Sequence, residues 1–165
     1  MWGTADFFYL SVMKKFELGK RHKLCGAVAV DRLFTAADSK SALCYPLRGV
    51  WRDGERRDGG GAQYQFVITV PKKRLRHAVD RVAARRRIRE AYRLTHGRVE
   101  EACDGAGGET PVDMAFVYVA NRVLPSSAIH AAMERLLIKI HNVNNKVRNK
   151  SPEGDEAAEN DKPVG

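Results

Sequence analysis

One stretch of the chain, residues 71–98, concentrates side chains that could bind phosphate groups. It contains eleven lysine and arginine residues and two acidic residues, so its formal charge of +9 equals that of the whole 165-residue chain. Because the rest of the sequence sums to zero, the positive potential is local, which is typical of a surface that faces a polyanion. Arginine also suits bidentate contact with phosphate oxygens better than lysine does. The stretch therefore predicts nucleic-acid binding.

The same stretch has the periodicity of an amphipathic helix. Small and apolar residues recur at the spacing of a helix face that packs on a core, at Ala84, Ile88, Ala91, Tyr92 and Thr95. The opposite face carries Arg85, Arg86, Arg89 and Arg93. Asp80 is the predicted N-cap and Gly97 the predicted C-terminal stop. A charged helix face is often only solvated, but few acidic residues lie one turn away to pair with these arginines.

Residue sets that support catalysis by a protein are absent from the sequence. The five histidines form no HxxxH or HExxH pair, and no serine lies in a GxSxG motif. The three scattered cysteines form no CxxC motif, and we expect them to be reduced thiols of a cytoplasmic protein. The sparse acidic residues do not suggest the converging carboxylates of a two-metal nuclease. We therefore expect no catalytic side chains and no metal site in the protein.

The patterns around the basic helix predict an α+β domain. Helical periodicity occurs in two further segments, 24–35 and 128–143, the second with Ser126 as its N-cap. Strand-like patterns occur at 42–52, which is interrupted by Pro46, at 63–70 and at 112–120. The glycine-rich segment 53–61 is predicted to be a hairpin loop. With room for one more short strand, helices should pack on an antiparallel or mixed sheet.

Composition divides the chain into one domain and two terminal segments. Residues 1–19 are predicted to be a flexible or over-called extension, because Met13 could serve as a start site. Residues 20–143 are predicted to form a single RNA-binding domain, and the polar residues 144–165 a disordered tail. No apolar run reaches the ~20 residues that cross a bilayer, so we expect no membrane partner.

The basic helix and its neighbours form a pattern that extends over most of the chain. A strand ending in Lys72-Lys73 precedes Arg81, Arg85 and Arg86, followed by Arg-Glu-Ala-Tyr-Arg at 89–93. Asp-Arg-Leu-Phe at 31–34 and Tyr-Pro-Leu-Arg at 45–48 lie upstream, and Asp-Met-Ala-Phe-Val at 113–117 lies downstream. This pattern resembles the protein subunit of bacterial ribonuclease P. One motif departs from that family, because its Arg-Asn-Arg core is Arg81-Val82-Ala83 here.

The resemblance implies a fold and a function. The fold is α+β, with helices on a mostly antiparallel sheet in the order α-β-β-(β)-α-β-α and a left-handed βαβ crossover around the basic helix. The function is tRNA 5′ maturation, in which the protein binds the catalytic RNA and the 5′ leader of precursor tRNA. The RNA performs the hydrolysis with Mg²⁺ that it mainly holds itself, and no further protein partner is required.

The resemblance also implies two sets of binding residues. The residues expected to bind the catalytic RNA are Lys72, Lys73, Arg81, Arg85, Arg86, Arg89 and Arg93. A cleft for the single-stranded leader is expected at Val30, Phe34, Val50 and Trp51. Stacking and apolar contacts over a basic groove commonly hold extended single strands. The competing interpretation of Val30 and Phe34 is that they are ordinary core residues.

Other functions are compatible with the basic helix alone. A structural RNA-binding protein, of the ribosomal or assembly-factor type, would have the same helix and no tie to catalysis. A DNA-binding protein fits less well, because the second helix of a tight helix-turn-helix is missing. An autonomous metal nuclease fits least, because the carboxylates it requires are sparse.

Overall fold

Four strands and three α-helices occur in residues 18–54, 64–102 and 111–149, which are the residues described in a computed structural model of the protein. The helices are α1 (Ala27–Thr35), α2 (Ala78–Ala102) and α3 (Ser126–Asn149). The strands are β1 (Lys40–Cys44), β2 (Leu47–Asp53), β3 (Tyr64–Thr69) and β4 (Val112–Tyr118). One short 3₁₀ turn, Lys20–His22, precedes α1. The predicted element order is confirmed, and the optional strand is present.

The four strands form one mixed sheet in the order β1-β2-β4-β3. The β1–β2 and β2–β4 pairs are antiparallel, and the β3–β4 pair is parallel. Helix α2 connects the two parallel strands, so the basic helix belongs to a βαβ unit, as predicted. The left hand expected for this crossover stays a prediction.

Two predictions about the strands are wrong. The segment predicted as one strand at 42–52 is a pair of antiparallel strands that reverses at Tyr45 and Pro46, with Cys44 opposite Leu47. Proline lacks the N–H that a strand ladder requires, so it favours this break. The segment 53–61 does not close a hairpin, because β4 lies between β2 and β3. Most of that segment lies outside the described residues.

The boundaries of the first two helices differ from prediction. Helix α1 starts at Ala27 rather than at residue 24, because the Leu24 amide instead donates to the Phe66 carbonyl at 3.0 Å. Gly26 precedes the helix with φ 106°, a conformation that glycine adopts readily. Helix α2 continues through Gly97, and Asp80 lies in its first turn rather than at its N-cap. Burial of the following turn at Val99 offsets the roughly 1 kcal/mol that a helical glycine costs.

Helix α3 extends into the segment predicted as a disordered tail. It ends at Asn149 rather than at residue 143. Asn144 is buried, and its Oδ1 accepts a hydrogen bond from Trp51 Nε1 at 3.2 Å. This hydrogen bond anchors the polar end of α3 to the sheet and stabilises its helical conformation. The remainder of the predicted tail, 150–165, and most of the predicted N-terminal extension lie outside the described residues.

The two faces of the sheet are covered unequally. Helices α2 and α3 cover one face and enclose the larger core, in which the largest fully buried side chains include Tyr92, Phe116 and Tyr118. Helix α1 covers only part of the other face, above a small cluster of Leu24, Leu33, Val50 and Ala115. The protein therefore has three layers, with one face of the sheet left partly open.

Substitution of Gly49 by alanine should destabilise the protein by about 1–3 kcal/mol through overpacking. Gly49 lies in β2 against α3, and an added Cβ would lie 2.9 Å from both Cδ atoms of Leu136, which is fully buried. Urea unfolding measures the change. The matched control is Gly19→Ala, whose Cβ would meet, among the described residues, the Arg21 side chain alone, at 4.0 Å. Equal unfolding midpoints for the two variants would contradict the overpacking.

Candidate nucleic-acid interface

The buried face of α2 is the one that the periodicity predicts. Ala84, Ile88, Ala91 and Tyr92 are at most 1% exposed, and Thr95 is 7% exposed. The Tyr92 ring lies 4.3 Å from the Phe66 ring and 5.6 Å from the Phe116 ring, measured between centroids. These contacts set the rotation of α2 on the sheet. They therefore determine which of its side chains face solvent.

Three arginines on the outer side of α2 are available for a ligand. Arg85, Arg86 and Arg89 are exposed. Within the described residues, none of the three has a carboxylate partner or an intramolecular hydrogen bond. They follow one another within about one turn of the helix, so their guanidinium groups project from one side. The predicted cationic face is confirmed for these residues.

Other arginines of the basic segment already have partners inside the protein. Arg93 donates to both Glu90 carboxylate oxygens, at 2.9 and 2.6 Å, and this hydrogen bonding lowers the pKa of Glu90. Arg81 Nη1 donates to the carbonyls of Leu75 and Arg76, at 3.0 and 2.6 Å. Arg81 thus ties the preceding linker to the first turns of α2. Each of these side chains has fewer donors free for phosphate than Arg85.

The linker before α2 adds exposed cations to the same end of the helix. Lys72 and Lys73 are both exposed in a turn closed by the hydrogen bond from the Arg74 amide to the Pro71 carbonyl, at 3.0 Å. Val82, at the position of the family asparagine, is 43% exposed. The departure from the family pattern therefore places an apolar side chain on the solvent side of the helix.

The partly open face of the sheet brings three of the four predicted cleft residues to one side. Val50 lies in the small cluster beneath α1, and Val30 packs against that cluster. Phe34, near the end of the same helix, is 46% exposed. Its exposure is inconsistent with an ordinary core role, and it leaves the ring available to a ligand. Val50 is 6% exposed, so it supports the cleft from below.

Trp51 does not belong to this cleft. It is 2% exposed and lies in the larger core, on the opposite face of the sheet from Val50. Successive residues of a strand point to opposite faces, so the two neighbours cannot share a site. The same alternation identifies residues that the prediction missed. Arg48 of β2 and Leu43 of β1 are exposed and lie opposite each other, and both point to the same face of the sheet as Val50.

The described residues contain neither a cluster of metal-ligating side chains nor a helix that could span a membrane. Within residues 18–54, 64–102 and 111–149, no group of three or more His, Cys, Asp or Glu side chains could hold a metal ion. No helix in those ranges combines the length and apolar character that crossing a bilayer requires.

A family model described as Ribonuclease P matches residues 26–141, from the start of α1 into α3. The chain belongs to the ribonuclease P protein family. The match includes the whole of α2 and the partly open face of the sheet. The role of this family is tRNA 5′ maturation, which favours the ribonuclease P interpretation over a structural RNA-binding protein.

Two relatives are similar over most of their length. Each is named "Ribonuclease P protein component", and they come from Porphyromonas gingivalis strains ATCC 33277 and W83. Each is 30% identical to this chain over 125 residues, which cover 76% of this chain and 87% of the relative. The similarity to ribonuclease P proteins therefore extends well beyond the basic helix.

Proposed function

We propose that this chain is the protein component of a ribonuclease P ribonucleoprotein and that the exposed face of α2 binds the catalytic RNA in the cytoplasm. The observation that carries the proposal is the set of three exposed arginines, Arg85, Arg86 and Arg89, with no carboxylate partner in the described structure. Guanidinium groups match the geometry of phosphate oxygens. Lys72 and Lys73 extend this surface at the N-terminal end of α2.

The partly open face of the sheet is the proposed site for the 5′ leader of precursor tRNA. Phe34 offers a half-exposed ring, and Val30 offers an apolar flank. The exposed Arg48 supplies a cation on the same side of the sheet. An aromatic ring beside a cation is the usual combination for holding single-stranded RNA. Because α2 and α1 lie on opposite faces of the sheet, two RNAs could be held at once.

In this proposal, hydrolysis belongs to the catalytic RNA, with Mg²⁺ held mainly by that RNA. The protein contributes charge and position. Its cations reduce the repulsion between the two RNA molecules and release condensed counterions, with a salt slope of roughly −0.7 to −0.9 per phosphate contacted. The protein should therefore matter most where Mg²⁺ is scarce.

Reconstitution with the cognate catalytic RNA tests the function. We expect the chain to accelerate cleavage of precursor tRNA at low Mg²⁺ concentration, and to accelerate it less as Mg²⁺ rises. Single-turnover cleavage with end-labelled precursor measures the rate and identifies the product 5′ end. Absence of stimulation at every salt concentration would favour a structural RNA-binding protein.

The variant Phe34→Ala should weaken binding of precursor tRNA and leave binding of mature tRNA unchanged. Loss of one base-stacking contact costs about 1–3 kcal/mol, or roughly 5- to 150-fold in affinity. The measurement is the affinity of the reconstituted ribonucleoprotein for both RNAs. Leu33→Ala is the matched control, because Leu33 is fully buried in the same helix and should lower stability instead. Equal losses for both RNAs would show that Phe34 does not contact the leader.

A further inference from the structure

A cleft lies at the outer edge of β3, beside the 3₁₀ turn Lys20–His22. Its volume is about 350 Å³, within the range of roughly 300–1,000 Å³ typical of small-molecule sites. Residues 66–68 of β3 line it together with the segment around the 3₁₀ turn, and Arg85 and Arg89 of α2 also line it. The cleft therefore joins two of the exposed arginines to apolar residues of β3, of which Val67 packs against the small cluster beneath α1.

The residues that line the cleft are of two chemical kinds. The apolar ones are Leu18, Phe66, Val67 and Ile68, and the cationic ones are Lys20, Lys23, Arg85 and Arg89. No acidic side chain is among the described residues that line it. His22 is a further lining residue, and burial is the main cause that lowers its pKa, so it adds little positive charge at neutral pH. A matching ligand has an apolar surface and a negative charge.

The backbone edge of β3 is partly covered at this point. The Leu24 amide donates to the Phe66 carbonyl at 3.0 Å, and Lys23 forms a parallel bridge with Phe66. After Phe66, the outer edge of β3 has no further strand partner within the described ranges. Edge amides and carbonyls can form hydrogen bonds with the polar rim of a ligand. A nucleobase has such a rim around an apolar face.

We propose that this cleft binds one unpaired nucleotide of the catalytic RNA. Its base contacts Phe66 and Ile68, which point to the α2 side of β3, and its flanking phosphates contact Arg85 and Arg89. The inference rests on the proposed function, because it assigns a partner to the α2 face. A duplex is too wide for a cleft of this size, whereas an unstacked nucleotide enters and is recognised by stacking and by its polar edges. The catalytic RNA is preferred over the leader because both arginines belong to α2.

The first test compares two arginines of the same helix. Arg89→Gln should weaken binding of the catalytic RNA about tenfold, because it removes a phosphate contact together with its support of the bound base. Arg86→Gln removes the same charge from an exposed position that does not line the cleft, and should weaken binding only about two- to threefold. Equal losses in the two variants would overturn the proposal.

The second test identifies the occupant directly. Lys20, exposed at the cleft, is replaced by the photoreactive residue p-benzoylphenylalanine, and Lys139, exposed on α3, is replaced in the same way as a control. Crosslinking in the active ribonucleoprotein should map to one or two adjacent unpaired nucleotides of the catalytic RNA. An abasic substitution there should weaken binding of the unmodified chain more than binding of Arg89→Gln. Crosslinks to the leader, scattered crosslinks or none would overturn the proposal.

The two levels of the proposal fail in different ways. If the unmodified chain does not bind or stimulate the catalytic RNA, the proposed function itself is wrong. If the ribonucleoprotein forms and cleaves normally but the Arg86 and Arg89 variants behave alike, the cleft has no nucleotide and the proposed function stands.

Discussion

Reversal of Arg85, Arg86 and Arg89 to glutamate is expected to abolish binding of the catalytic RNA and to leave the fold intact. The three side chains are exposed, and within the described structure they support no other group. Three attractions to phosphate become three repulsions, which should lower the affinity by about a thousandfold or more at physiological salt. The slope of log K against log salt should shrink by about two to three, because three arginines no longer neutralise phosphates.

The measurement is RNA affinity at several salt concentrations, with thermal unfolding as the check on the fold. A matched control reverses three exposed cations of α3, at Arg135, Lys139 and Lys146. The control changes the net charge by the same amount on a different helix and should cost far less affinity. Survival of tight binding in the α2 variant would show that the arginine face is incidental. An equal loss in both variants would show that only net charge matters.

The orientation of the basic helix could be predicted from the sequence because it depends on local period. Residues that recur every three or four positions share a face, and only one face of α2 is apolar enough to pack on the core. The assignment of free and engaged arginines could not be predicted in the same way. Arg87, for example, donates to the Leu124 carbonyl at 2.5 Å, across 37 residues of sequence. Only the folded chain brings such partners together.

In the leader cleft, too, some features follow from local sequence pattern and others depend on contacts between distant residues. Because side chains alternate between the two faces along a strand, Val50 and Trp51 point to opposite faces, and the sequence alone excludes a cleft that contains both. Which of these two residues points to the open side of the sheet could not be predicted, because both are apolar. The answer depends on Asn144, whose Oδ1 satisfies the indole N–H of Trp51 from 93 residues away. A buried polar partner so distant in sequence does not change the local pattern of polar and apolar residues, so it cannot be predicted from that pattern.

Helix ends were predicted poorly for a related physical reason. Gly97 and Asn144 are residues that often end helices, and local propensity favours a stop at each. Both are buried in the structure, and the helices continue past them. Tertiary packing of the following turn outweighs a propensity cost of about 1 kcal/mol. The strand break at Pro46, in contrast, follows from the missing N–H and was predictable.

Replacement of Phe116 by alanine should lower the free energy of unfolding by about 3–5 kcal/mol. Phe116 is fully buried in β4, the strand between β2 and β3. Its ring lies 6.0 Å from the Phe66 ring and 5.6 Å from the Tyr92 ring of α2, between centroids. The cavity would open between the sheet and the basic helix, and neither can collapse into it without disrupting its packing elsewhere. Urea unfolding measures the loss, and the half-exposed Phe34→Ala should cost much less.

RNA binding should respond to Phe116→Ala in the opposite way from the charge reversal. The arginine face is untouched, so the folded fraction should bind the catalytic RNA with nearly the original affinity and salt slope. A ligand that binds the folded state in preference to the unfolded chain stabilises the folded state, so adding the catalytic RNA should raise the unfolding midpoint of Phe116→Ala, as mass action requires. It should not raise the midpoint of the α2 reversal. If folded Phe116→Ala lost RNA affinity, the packing beneath α2 would itself shape the RNA-binding surface, and the arginines alone would not account for recognition.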